Sequence, residues 1–271
     1  MANYKKLTWD ANGERFYEQG VDQGVLYVMR DTPITEDASQ NDLKMFGSAF
    51  YTNGVAWNGL TQVSEAPEGG DPTDIWADNI KYLTIIGSQK LGGSMECYTY
   101  PNEFNPCIGY GQLASGVFAS LQARIKFGFV YRTMVGSDLS SSADEKIHIV
   151  YGCYANAPTR DHSTINDSPE AQTMSFDWTA DTFGDGYVAS GDTYKTASIE
   201  IQKSKVGAKV YANICSHLFG RASESGTTTV AGVPAHLLLP NEVEKLVGGT
   251  SAVTAYEDAY QTALATFDPE E

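Results

Sequence analysis

"KIHIVYGCYANAPTRDHSTINDSPEAQTMSFDW", residues 146–178, decides the fold class. At its start Ile147, Ile149, Tyr151 and Cys153 alternate with Lys146, His148, Val150 and Gly152. The alternation returns from Gln172 to Thr179, where Met174, Phe176 and Trp178 oppose Thr173, Ser175, Asp177 and Thr179. A period of two places each set on one face of an extended chain, so both segments read as strands with one buried face. The polar stretch between them, Asn156 to Glu170, carries turn signals at Pro158, Asn166-Asp167 and Ser168-Pro169.

Working outward, further strands are expected at Gly24 to Met29, Ile80 to Ile86, Ser94 to Tyr100, Ile125 to Val135 and Ser198 to Gln202. In the fourth, Ile125, Phe127, Phe129 and Tyr131 share one face, and Arg124, Lys126 and Arg132 share the other. "GSDLSSSADE", residues 136–145, joins this strand to the next as a long hairpin, and Asp185-Gly186 reads as a second hairpin turn. Helical signals are few. Val206, Val210, Ile214 and Leu218 form an i, i+4 stripe closed by Gly220, which predicts one amphipathic helix flanking the sheet. Pro240 to Val247 reads as a two-turn helix with Pro240 near its first position and Gly248 after it. Val253, Tyr256, Tyr260, Leu264 and Phe267 recur at spacings of three and four, and Thr254 with Glu257 fits a capping box. Asp31 to Phe46 and Gln62 to Asp78 read as long irregular stretches, uncommon in a compact domain unless they bind something.

A chain of 271 residues is long enough for one large β domain or two small ones. It contains no apolar run long enough to span a bilayer, and "MANYKKLTWDANG" lacks the apolar core of a secretory signal. Cys97, Cys107, Cys153 and Cys215 form no CxxC pair and no zinc spacing, so free thiols in a reducing cytosol are expected. Cys153 reads as a small buried hydrophobe. The net charge of −16 argues against a grip on nucleic acid, which needs an excess of Lys and Arg. The stripe Arg124, Lys126 and Arg132 is therefore expected to pair with carboxylates rather than to track DNA.

No cofactor, metal or catalytic site is expected. GxSxG, P-loop, GxGxxG and HExxH patterns are all missing. Asp161, His162 and Ser163 are consecutive, and neighbours in sequence cannot orient one another as a triad. Asp181, Asp185, Gly186 and Asp192 echo a calcium loop, but Phe183 stands where an oxygen ligand belongs.

The opening stretch resembles the major tail protein, the tail-tube subunit, of long-tailed bacteriophages. "NGVAWNGLTQVSEAPEGGDPTDIWADNIKYL" (53–83), "MECYTYPNEF" (95–104) and "IKFGFVYRTMVGSD" (125–138) are similar to further blocks of that family in the same order. "TASIEIQKSKVGAKVYANICSHLFG" (196–220) is a looser match, and "HLLLPNEVEKLV" (236–247) is similar to its closing segment. The resemblance covers most of residues 13–247. It implies a mainly β fold: a tail-tube-type antiparallel β-sandwich or barrel with one flanking helix and long inter-subunit loops. On this reading residues 1–247 are the tube domain and 248–271 a short helical C-terminal extension. It further implies a structural virion protein of the tail, assembled in the host bacterial cytoplasm. Its rings, typically hexameric, stack into a tube through which double-stranded DNA is ejected without specific binding. Tape-measure, tail-terminator and distal-tail proteins are the implied partners. A distal-tail or neck ring protein, or a carbohydrate- or receptor-binding module using the 11% aromatic content, are the rival readings. Candidate inter-subunit contacts are Pro67, Pro72, Ile75 and Trp76 in the second irregular stretch, and Tyr256, Tyr260 and Phe267 in the extension. Trp76 either docks on a neighbour or caps its own core, and the extension either meets a neighbour or packs back on its own subunit.

Overall fold

The computed structural model describes residues 9, 15–31, 46–87, 89–120, 123–141, 143–160, 164, 171–181, 183–189, 192–223, 232–248 and 250–265. Its strands are β1 (Phe16–Val28), β2 (Val55–Trp57), β3 (Leu60–Glu65), β4 (Glu68–Gly69), β5 (Pro72–Ala77), β6 (Ile80–Ile86), β7 (Gln89–Cys97) and β8 (Tyr110–Ala114). They continue with β9 (Val117–Ser120), β10 (Phe127–Ser137), β11 (Asp144–Ala155), β12 (Met174–Ala180), β13 (Phe183–Ala189), β14 (Asp192–Thr196) and β15 (Ser198–Gln202). The helices are α1 (Lys203–Val206), α2 (Ala208–Leu218), α3 (Pro240–Val247) and α4 (Thr250–Ala265).

The fold is mainly β, as the alternation predicts. Nine strands form one antiparallel sheet in the order β2-β1-β10-β11-β12-β7-β3, with β15 added on β11 and β4 on β7. The two ends of that path, β2 and β3, are joined by only Asn58 and Gly59, so the sheet curls round toward a barrel. Leu60 of β3 packs over Gly24 of β1 across the closing gap.

The curl gives the sheet an inside and an outside, each with its own core. Inside lie Leu26, Trp57, Met95, Cys97, Phe104, Phe127, Phe129, Tyr131, Phe176 and Trp178. Outside, Tyr27, Val130, Ile147, Ile149, Tyr151 and Ile201 are roofed by α2, α3, α4 and the segment from Val233 to Leu239. β11 is therefore buried on both faces over much of its length, and Val150, expected on the polar side, sits in the inner core. Cys153 also changes sides. Its phase would put it with Tyr151, but Gly152 adopts φ +59° and the β10–β11 register slips between Phe127 and Phe129. This bulge turns Cys153 and Ala155 inward. Cys97, Cys107 and Cys153 are buried free thiols, and burial pushes the Cys107 thiol up to about 12.

Phe104 is the hub of the inner core. Its ring lies 4.6 Å from Trp57, 5.1 Å from Phe127 and 5.3 Å from Phe176, centre to centre. Phe104→Ala is expected to cost about 3–5 kcal/mol, the usual range for an aromatic truncated in a dry core. Urea unfolding checks this: a lower midpoint with an unchanged m-value is the expected result.

Several local expectations are corrected. The helix drawn from Val206 to Phe219 is two helices, because Gly207 at φ +88° breaks the chain between α1 and α2. Asp185-Gly186, expected as a hairpin turn, lies inside β13, where the pairing with β14 is irregular. α4 begins at Thr250, so Thr254 and Glu257 stand mid-helix and form no N-terminal box. α3 spans the expected residues with Pro240 at its start, and Gly220 takes φ +80° after α2. The stretch Asp31 to Phe46 and the run Asp161 to Ser163 lie largely or wholly outside the described residues. Among the described residues no helix is long and apolar enough to cross a membrane.

Candidate assembly surface

Gln62 to Asp78 is built rather than irregular. β3 pairs with β7, β4 continues that pairing, and β5 runs out to pair with β6 as a separate two-stranded hairpin. Its turn is Asp78-Asn79, both with positive φ (51° and 61°). That is the geometry of a two-residue turn matching the strand twist, and Asp and Asn tolerate it because their short polar side chains bond locally. The Pro and Gly residues before it hide the hairpin in the sequence, while Thr73, Ile75 and Ala77 carry its period of two.

The register sorts the hairpin's side chains. Thr73 faces Ile85, Ile75 faces Leu83 and Ala77 faces Ile80, so one face is wholly apolar apart from the threonine. The opposite face carries Asp74, Thr84 and Trp76. Asp74 accepts from Thr84 at 2.7 Å and pairs with Lys81 at 2.7 Å. The Lys81 ammonium, helped by Thr84, holds the Asp74 carboxyl below its usual range. A register shift after Ile75 leaves Tyr82 without a cross-strand partner. Neither face is covered: Trp76 is 66% exposed, Tyr82 68% and Ile86 73%, and Ile75, Ile80, Leu83 and Ile85 are exposed as well. A two-stranded ribbon this apolar gains little from water, where isolated hairpins are marginal and large exposed apolar patches are uncommon. A second hairpin, β8–β9, similarly exposes Leu113, Val117 and Phe118.

Of the candidate contacts, Pro67 is exposed between β3 and β4, and Pro72 opens β5 opposite Ile86. These two, Ile75 and Trp76 belong to one projecting region. Tyr256 and Tyr260 do not. They are 3% and 0% exposed, packed edge-on against Phe46 at 5.5 and 5.1 Å, so the chain's own core uses them. α4 thus packs back on its own subunit, because its apolar stripe completes the roof that α2 and α3 leave open. Phe267 lies outside the described residues.

The basic stripe is largely neutralised. Arg132 donates to both oxygens of Asp22 at 2.8 and 2.7 Å and reaches Glu145 at 3.2 Å. The Asp22 carboxylate raises the Arg132 pKa. Lys126 pairs with Asp181 at 3.0 Å, while Arg124 donates to the Asn156 amide oxygen at 2.8 Å rather than to a carboxylate. Lys146 is held between Glu18 and Glu200. Among the described residues no group of three or more His, Cys, Asp or Glu is placed to hold a metal ion.

Sequence reasoning missed one buried polar centre altogether. Glu242, fully buried, accepts the backbone N–H groups of Leu239 and Gly47 at 2.7 and 2.8 Å, and its other oxygen lies 2.7 Å from the hydroxyl of Tyr256. "LPNE" was the available signal, since an acidic residue at the third helical position reaches back to the cap.

No known protein family and no curated protein matches the sequence. Among solved structures, the chain is similar to a chain of an extracellular contractile injection system, the PVC sheath–tube complex in its extended state. The identity is 9% and the TM-score 0.30, over 62% of this chain and 99% of that one.

Proposed function

We propose that this chain is a tail-tube subunit, whose copies associate in rings that stack into the tube of a phage tail. The observation that carries the reading is the β5–β6 hairpin: an apolar ribbon outside both cores, projecting from a curled sheet whose own apolar faces are already filled. Each large apolar side chain moved from water into a dry contact contributes about 1.5–3 kcal/mol. A ring repeats that contact at every subunit, so modest pairwise affinity suffices for a long polymer. The sequence resemblance supplies the number of subunits, six, and the passage of double-stranded DNA. The net charge of −16 agrees with a conduit that does not hold phosphates.

Ile75, Leu83 and Ile85 share the apolar face, so replacing all three by Thr keeps β propensity and removes the contact. The triple variant is expected to remain folded and soluble while electron micrographs show no tubes. Pro67 to Pro72 is a poorer target, because it includes β4 and its pairing with β7. Normal tubes from the triple variant would sink the assignment of this hairpin to assembly. Single rings from the wild-type protein, with no stacking, would point instead to a distal-tail or neck component.

A further inference from the structure

Glu242 belongs to a chain of groups whose protons can be counted. His236 Nδ1 lies 3.1 Å from the carbonyl oxygen of Pro234, which can only accept, so Nδ1 carries a hydrogen. In the neutral ring Nε2 is then an acceptor, and the Tyr256 hydroxyl faces it at 3.4 Å. The same hydroxyl is 2.7 Å from Glu242 Oε1, a separation that requires a proton between the two oxygens. Tyr256 has one proton for two acceptors. If Glu242 is ionised, that proton goes to the carboxylate and Nε2 is left bare in the core. If Glu242 is an acid, it donates to Tyr256, Tyr256 donates to His236, and every group is satisfied. Oε2 meanwhile accepts from Leu239 and Gly47 in either state.

We infer that Glu242, Tyr256 and His236 share one extra proton below neutral pH, and that this proton locks α4 onto the curled sheet as a pH-sensitive latch. The groups around it agree. Glu242 and His236 are 0% and 1% exposed, and burial pushes the Glu242 carboxyl up to about 7 and the His236 ring down to about 3. From α2, His217 packs against His236 and Tyr256 with neither ring nitrogen hydrogen-bonded, and burial, with the Arg221 charge beside it, pushes its pKa down to about 4. Lys245, one turn along α3, is the cation acting on the carboxyl. From α4, Tyr260 is bonded to Ser48, and Glu257 acts on Tyr256. From β11, Tyr151 donates its hydroxyl to the Leu238 carbonyl, and burial together with the Glu242 charge holds that hydroxyl un-ionised.

The signs follow from linkage. A carboxyl raised in the folded state stabilises the latch below its ordinary pKa, and that contribution is lost as pH rises from about 4.5 to about 7. The two histidines act oppositely, their contribution being lost as pH falls below about 6.5. Glu242→Gln separates them. The amide of this variant would keep an acceptor for the two N–H groups and donate permanently to Tyr256, so it imitates the acid at every pH. The experiment is amide hydrogen exchange of α4 at pH 5, 6, 7 and 8, for the full chain and for E242Q. The ratio of opening constants, wild type over E242Q, is expected to rise roughly tenfold per pH unit between about 5 and 7 and then level off. The histidines cancel in this ratio. A ratio that does not change with pH, or an E242Q protein whose α4 opens more than wild type at pH 8, overturns the proposal. Infrared difference spectra of the wild-type protein alone give a second readout. A carboxylic-acid carbonyl stretch that persists at pH 6 and bleaches by pH 8 supports it, and its absence at pH 6 overturns it.

Discussion

Truncation after Val247 is expected to leave a chain that does not hold its native fold at 37 °C. The cut removes Val253, Tyr256 and Tyr260, which are 8%, 3% and 0% exposed and all belong to the outer core. Deleting one large buried aromatic side chain typically costs about 3–5 kcal/mol. Two of them, with the valine, come to about the whole stability of an ordinary domain, about 5–15 kcal/mol. The cut also strips Glu242 of its hydroxyl partner and uncovers Phe46, His217 and His236. Thermal unfolding by circular dichroism checks this. A truncated protein with a Tm within a few degrees of the full chain would show that α4 is a dispensable appendage.

Gly93→Ala is expected to be comparably damaging from a single methyl group. A Cβ at Gly93 would stand 1.9 Å from the carbonyl oxygen of Ser64 and 2.9 Å from the Trp178 ring. β7 is fixed there between β3 and β12, so neither backbone can retreat without breaking its ladder. Overpacking of even ordinary severity costs about 1–3 kcal/mol. Here the obstacle is backbone, and loss of soluble protein or a drop of more than about 3 kcal/mol is expected. Gly87→Ala, where a Cβ meets nothing within 4 Å, is the control and should be silent. Equal stability of the two variants in urea would mean that β3 is not paired as described.

The strands were legible where one face is wet. β12 keeps its period of two from Met174 to Ala180 because Asp177 and Thr179 reach solvent while Phe176 and Trp178 do not. β11 was legible in kind and position but not in detail. A lone glycine within an alternating run does not announce whether it will bulge, and the bulge at Gly152 decides the side on which Cys153 falls. The α4 stripe told that one helical face is buried without telling against what, so the sequence leaves Tyr256 and Tyr260 between a neighbour and the chain's own core, and Phe46 decides for the core. β6 was legible over Ile80 to Ile86, but its partner β5 and the hairpin they make were hidden by the opposite fault. Its apolar residues point outward on both faces, and Pro67, Gly69, Gly70 and Pro72 beside them look like a loop. Glu242 needed knowledge of a tertiary partner, the Gly47 N–H, which no local pattern contains.

The curled sheet also has a consequence for the order in which the polypeptide leaves the ribosome. β1 pairs with β10, whose residues emerge on the order of a hundred positions later, and β3 must wait for β7. At usual elongation rates β1 stands without its partner for on the order of ten seconds. During that interval Val25, Leu26 and Tyr27 are an open sheet edge with only the short β2 beside them. The local β10–β11 hairpin closes as soon as residue 155 is out, and it offers the earliest template on which the waiting strand can settle. Nascent chains are therefore most exposed to chaperone capture, and to mispairing with one another, before that hairpin appears.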